Sequence, residues 1–297
     1  MPLSSDFTFQ YKDDGIILNG DMVDPTLPFV DITGVTGLDS GDFRNSDRTR
    51  EGADGGFMDT GFTDMRVIVL SGTVYGTESY LEQLRANFKP FKAGDNGYIG
   101  GFPFYYSADG LYRKLFARSL GMKYDWAELR RTGRTEVQFQ LKCEDPTIYS
   151  ADINVTSHMT LLPITQLGYG YNRAYNRSYG GGTFGGGVLN VPNAGNAITY
   201  PEITILGPCD NPYIINDSWP TNNIPRLKFA GSLGVGDTLV VNTLYRTVRF
   251  NGTANRRNWL LPPYVWWGLM PGDNFLRFGA DTLSGAEAYL TYSYAWE

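Results

Sequence analysis

Nucleophilic and metal-bound chemistry draws on imidazole and paired thiolates, and this sequence holds one histidine, His158, and two cysteines, Cys143 and Cys209. A Ser-His-Asp or Cys-His arrangement would have to use His158, and no nucleophile motif lies near it. Zinc sites built on His or paired Cys lack ligands. Two carboxylates suffice for glycoside hydrolysis, but among 31 acidic residues nothing in the spacing selects a pair. Asp39, Asp42, Asp47 and Asp54 share a loop able to hold a cation weakly, without the Asp-x-Asp-x-Asp-Gly spacing of a calcium loop. The glycine run at 180–187 lacks the Gly-Lys-Ser/Thr ending of a phosphate cradle, so flexibility accounts for it better. The expectation is a chain that is not an enzyme, with no catalytic residue, no cofactor and no metal.

What remains are contact residues. Trp259, Tyr264, Trp266 and Trp267 cluster in sequence, and on a β-sandwich such a cluster can form a sugar platform. Here they surround Leu260-Leu-Pro-Pro263 and Gly268-Leu-Met270, a pattern of packing under a loop, which makes them candidates for core, subunit or partner contact as well. Residues 34–61 form the other candidate. They are rich in glycine and charge, poor in large apolar side chains, and long for a connection inside a compact domain. They read as an excursion available for contacts outside the domain, with Arg44, Arg48 and Arg50 as its cations.

The elements that must position these residues are strands. Ala286, Ala288, Leu290, Tyr292, Tyr294 and Trp296 share one parity, and Glu287, Thr291 and Ser293 the other, which is a half-buried strand. Before it, short alternating segments around Ile203, Leu227, Thr238–Thr243, Val248 and Leu276 are separated by turn signals. Asn251-Gly252 is the clearest, since both central residues of a type I′ turn need positive φ. About seven short strands at regular spacing predict two packed antiparallel sheets. In the first half, Phe7–Tyr11, Ile16–Leu18, Phe29–Thr33, Arg66–Tyr75, Tyr98–Tyr106, Leu111–Leu120 and Glu136–Glu144 read as strands. Arg66–Tyr75 carries apolar residues on both parities and is expected to be buried on both faces. A single helix follows it, capped by Thr77 or Ser79, with Leu81, Leu84 and Phe88 at helical spacing and Pro90 beyond.

At 297 residues two domains are expected, 1–150 and 151–297, with the Gly/Tyr/Asn-rich tract 168–187 as a linker or surface loop. The net charge of −6 is uneven: residues 1–64 hold four basic against thirteen acidic side chains. That acidic start argues against wrapping nucleic acid. No apolar run reaches the ~20 residues of a membrane-spanning helix, and Met1-Pro-Leu-Ser-Ser-Asp6 has no signal-peptide pattern, so a protein made in the cytoplasm without membrane insertion is expected.

An ordered set of motifs resembles the siphovirus-type tail component family, the distal tail proteins of long-tailed, non-contractile bacteriophages. In the second half these are Asn193-Ala-Gly-Asn-Ala-Ile-Thr-Tyr-Pro201, Ile203–Pro208, Asn211-Pro212, Phe229–Asp237, Asn251-Gly252, Leu269–Asn274 and the closing Tyr-x-Tyr-x-Trp296. In the first half they are Arg50–Gly56, Leu70-Ser-Gly72, the single helix, and Phe139 through Asp145-Pro146. The resemblance implies a mainly β chain: an N-terminal tail-tube-like β-barrel or sandwich with one packed helix, and a C-terminal galectin-like antiparallel sandwich. It implies a homohexameric ring in the virion, at the tail tip, joining the tail tube to the adsorption apparatus. The partners would be the tail tube protein, the tape-measure protein and tail-tip or receptor-binding proteins, with genomic DNA passing through the lumen without specific binding. A carbohydrate-binding module touching host cell-wall sugars is the alternative.

Overall fold

Alternation of apolar and polar side chains builds almost everything in this chain. The computed structural model describes residues 7–19, 28–39, 43–45, 47–52, 54, 56–57, 61–90, 101–108, 110–156, 158–160, 188–221, 225–282 and 285–297. The tract 168–187, Asp42 and the start of the strand expected from Tyr98 lie outside the described residues. Two units emerge, Met1–Asp152 with Glu297, and Ile153–Trp296.

The N-terminal unit runs β1 (Thr8–Tyr11), β2 (Ile17–Leu18), β3 (Phe29–Thr36), β4 (Phe43–Arg44), β5 (Arg48–Thr49), β6 (Gly56–Phe57), β7 (Phe62–Thr63) and β8 (Arg66–Tyr75), then α1 (Glu78–Asn87). It continues with β9 (Phe102–Ala108), β10 (Leu111–Tyr124), α2 (Trp126–Thr132), β11 (Arg134–Cys143) and β12 (Ile148–Ser150). The main sheet is antiparallel, in the order β2-β1-β9-β10-β11-β8-β3, with β12 beside β10. Its two ends meet at Asn19. The Asn19 amide donates to the Val30 carbonyl at 3.1 Å. Its side chain accepts from the Ile32 amide at 2.5 Å and donates to the Ile32 carbonyl at 3.2 Å. A carboxamide here does the work of a backbone pair, and the sheet curls into a barrel.

Inside lie Phe9, Tyr11, Ile68, Leu70, Phe104, Leu115, Phe139 and Leu141. Helix α1 covers them as its spacing predicts. The Thr77 hydroxyl accepts from the Tyr80 amide. Leu81, Leu84 and Phe88 are buried, and the Phe88 ring packs 5.3 Å from Tyr11 and 4.3 Å from Phe139.

Two expectations are corrected. Strand β8 is buried on one face only: Ile68, Leu70 and Val74 point inward, while Val67 on the other parity is 45% exposed. Apolar residues on both parities therefore do not mean two covered faces. The helix is also not single. In α2 the Asp125 carboxylate accepts from the Ala127 and Glu128 amides, and Gly133 closes the helix in the left-handed region at φ 73°. Only Leu129 of α2 is buried, so no apolar stripe announced it.

The C-terminal unit comprises β13 (Asn154–Val155), β14 (Met159–Thr160), β15 (Val188–Asn193), β16 (Glu202–Leu206), β17 (Cys209–Asp210), β18 (Tyr213–Asn216) and β19 (Arg226–Lys228). Then come β20 (Ser232–Leu233), β21 (Thr238–Asn242), β22 (Thr247–Phe250), β23 (Ala254–Asn255), β24 (Gly272–Gly279), β25 (Glu287–Tyr292) and β26 (Ala295–Trp296). One sheet has the order β13-β25-β16-β21-β22-β23, with β14 also on β25, and the second β15-β24-β18-β19. A small ladder pairs β17 with β20. Ile203, Ile205, Leu239, Val241, Val248, Ala288 and Leu290 from the first sheet bury with Val191, Ile214, Leu227, Leu276 and Phe278 from the second. This is an antiparallel two-sheet sandwich. Asn251 and Gly252 turn at φ 47° and 74°, as a type I′ turn requires.

The closing strand departs from its expected parity at the end. Ala286, Ala288, Leu290 and Tyr292 are buried, but after Tyr292 the strand breaks, and Ala295 instead of Trp296 takes the fully buried position. The reason is close backbone contact. The Ala197 amide donates to the Ala295 carbonyl at 3.0 Å, and a Cβ on Gly195 would lie 1.7 Å from that oxygen.

Candidate functional site

Between β3 and β8 the chain leaves the barrel as a hairpin with two short ladders. Arg44 faces Phe62 across one, and Arg48 faces Phe57 across the other. All three predicted cations, Arg44, Arg48 and Arg50, stand exposed on this hairpin. The Arg50 guanidinium lies 4.8 Å from the centre of the Phe57 ring, within cation–π range. Phe57 and Phe62 are 61% and 62% exposed, an unusual price for two aromatic rings in water unless something covers them. Sequence reading named the arginines and missed the phenylalanines, because only the pairing brings the rings beside the cations.

The hairpin is tied to the barrel at its base by Arg66. This side chain is 4% exposed, and its guanidinium donates to the carbonyls of Pro146 at 3.1 Å, Gly37 at 3.1 Å and Asp39. A flat, five-donor cation can serve three carbonyls from two separate segments, which an ammonium cannot match in geometry.

Beside that base is a cavity of about 390 Å³, within the size range of small ligand pockets. Its walls are Phe7, Phe9, Val35, Leu38 and Tyr106, with Thr36 and Asp39 exposed at the rim. Phe7 stands edge-on to Phe9 at 5.2 Å and is itself 48% exposed, so the wall is open to an incoming group.

The aromatic cluster of the C-terminal unit does not assemble into one platform. Trp267 is fully buried in the sandwich core and out of reach of any ligand, so the packing reading applies to it. Trp259 is half-buried on the core, its ring against Gly231 on one side and under Arg256, 5.3 Å away. Trp266 is likewise half-buried, and Tyr264, 40% exposed, meets it edge-on at 78°. Tyr264 and Trp266 remain together toward the surface as an edge pair.

Three buried asparagines explain several motif positions as loop clamps. The Asn193 amide donates to the carbonyls of Ala197 and Leu269, and its oxygen accepts from the Gly195 amide. Asn274 accepts from the Met270 amide and donates to the Met270 carbonyl, both at 2.8 Å. Asn216 donates to the Gly268 carbonyl at 2.9 Å. All three hold the segment Trp267–Met270 against the sheets, through carbonyls and amides that only folding brings near.

His158 is 4.8 Å from the Tyr289 ring, nearly parallel to it, and its Nδ1 lies 2.7 Å from Glu287 Oε2. No nucleophile completes a relay with them in the described contacts. Cys143 and Cys209 are free and buried, and burial pushes their thiols up to about 12 and about 11, the inert end of thiol chemistry. Among the described residues no group of three or more His, Cys, Asp or Glu side chains could hold a metal ion. Among them, too, no helix is long and apolar enough to cross a membrane.

Residues 194–296 match the family described as the siphovirus-type tail component, C-terminal domain, so the resemblance read from the motifs is borne out over that stretch. No curated protein matches the chain in sequence. In fold, the chain is similar to the Dit protein of phage SPP1, presented as a paradigm of the hub adsorption apparatus in phages infecting Gram-positive hosts. The TM-score is 0.63 at 18% identity, over 99% of this chain and 100% of that one. It is also similar to a chain of the phage p2 baseplate in its activated conformation, with calcium and with strontium. In each case the TM-score is 0.52 at 11% identity, over 97% of this chain and 98% of the other.

Proposed function

We propose that this chain is a structural hub of a phage tail tip. Identical copies close into a homohexameric ring that joins the tail tube to the host-adsorption apparatus, and genomic DNA passes through the opening. In this reading the N-terminal unit forms the tail-tube-like ring, the C-terminal sandwich is galectin-like in type, and the partners are the tail tube, tape-measure and tail-tip or receptor-binding proteins. The protein is made in the host cytoplasm and ends in the virion.

The observation that carries this reading is the likeness in fold to a hub protein over 99% of this chain, with the C-terminal family match inside it. The hairpin adds physical support. A ring of identical copies needs two different faces that fit one another head to tail. Arg44, Arg48 and Arg50 project from a chain whose first 64 residues hold thirteen acidic side chains, so the cations of one copy have carboxylates to meet on the next. The same acidic excess suits a lumen from which DNA slides without sticking.

Gold-labelled antibody against the chain, applied to intact virions, is expected to mark the tail tip. Label confined to the capsid or absent from virions would overturn the assignment. Reversing Arg44, Arg48 and Arg50 to Glu is expected to weaken the ring, more so at low salt than at high, because exposed charges are screened over about 8–10 Å. Rings that persist unchanged would remove the arginine contact.

A further inference from the structure

We infer that the Phe57–Arg50 pair of one copy seats in the pocket bounded by Phe7, Val35, Leu38 and Asp39 of the next, as the knob and socket that set ring closure. This rests on the ring reading above and gives it named residues. The knob is an aromatic ring 61% exposed, with a guanidinium stacked on its face. The socket is an apolar cavity of about 390 Å³ with one exposed carboxylate, Asp39, on its rim. The chemistry matches: a phenyl ring fills an apolar hole while the cation it carries reaches the carboxylate at the edge.

The knob does not fill the socket of its own chain, since Phe57 stays exposed in the single copy. Knob and socket are also different surfaces. Their pairing is therefore heterologous, each copy giving its hairpin to one neighbour and its pocket to the other, and such a contact repeats until the rotation closes a ring. The buried Arg66 serves this geometry. It fixes Gly37 and Asp39, hence the socket rim and the root of the hairpin, to the barrel at once.

Two variants separate the halves. Thr36→Trp places a large side chain in the socket mouth from an exposed position and leaves the hairpin intact. Phe57→Ala combined with Arg50→Glu removes the knob and leaves the socket intact. Native mass spectrometry of the full chain is expected to find wild-type rings, while each variant alone has its subunit contact weakened about tenfold to a hundredfold, the worth of one buried aromatic side chain. Mixed one to one, the variants retain a single working pair, the Thr36→Trp hairpin in the knobless copy's socket, and are expected to form dimers that go no further. Circular dichroism matching wild type establishes that each variant is folded. At the lowest concentration that closes wild-type rings, rings of wild-type size from either folded variant, or a mixture that yields no dimer, would overturn the knob and socket and leave the hub reading standing. A wild-type chain that is monomeric at every concentration would overturn both.

Discussion

Arg66 offers the strongest single test of how the barrel presents its hairpin. Replacing it with Met keeps most of the stem and removes the guanidinium that three carbonyls accept from. A buried acceptor left without a partner costs about 1–3 kcal/mol. Asp39 is exposed and Gly37 and Pro146 are half-buried, so water recovers part of that loss. Removing the cation also ends the cost of keeping a charge out of water. The balance is a loss of about 2–4 kcal/mol from the N-terminal unit, with Arg66→Lys losing about 1–2 kcal/mol because a compact ammonium cannot reach all three carbonyls. At 1.4 kcal/mol per factor of ten, the Met variant should speed amide exchange at Val35–Asp39 by about 30- to 700-fold. Hydrogen exchange by mass spectrometry reads this directly, and the proposed ring contact should weaken with it. Exchange unchanged within threefold in the Met variant, or Lys and Met behaving alike, would show that Arg66 does not anchor the hairpin.

Asn274→Ala should cost the C-terminal unit about 2–4 kcal/mol, because the Met270 amide and carbonyl lose their partners together, and urea unfolding of the full chain would measure it. Both thiols should resist alkylation in the native protein at pH 8, since with its pKa at about 12 the Cys143 thiolate is only about one part in ten thousand, and both should react once urea unfolds the chain. Acid should destabilise the C-terminal unit below about pH 4. The Asn251 hydrogen bond holds Asp237 below its ordinary value, and the Lys228 hydrogen bond does the same for Asp281, so what they contribute is present above the ordinary carboxylate range and lost as pH falls through their lowered values. Asp281→Asn should flatten that acid limb; an unchanged profile of thermal stability against pH would count against it.

Much of this architecture is legible in the sequence wherever one face of a strand meets the core. Val137, Phe139, Leu141 and Cys143 alternate inward as their parity predicts, and the stripe of Leu81, Leu84 and Phe88 marks α1. What sequence leaves out is set by partners far along the chain. Val67 is apolar yet exposed, because the outer face of β8 is only half-buried along its length and is open at Val67. Helix α2 rests on its caps at Asp125 and Gly133 and on one buried leucine, too little for a periodic signal. Barrel closure by Asn19, and the loop clamps at Asn193, Asn216 and Asn274, depend on carbonyls brought near by folding. The candidate site shows the same division. Three arginines in a charged excursion were visible as residues, while Phe57, Phe62 and the pocket around Phe7 needed the hairpin pairing and the barrel's end to become a surface.

The account stands or falls on whether this chain joins its own copies into a closed ring. Cryo-electron microscopy of the purified protein is expected to show particles of six-fold symmetry, each subunit's hairpin lying on its neighbour's barrel. Monomers throughout, or open filaments and dimers with the hairpins free in solvent, would contradict it.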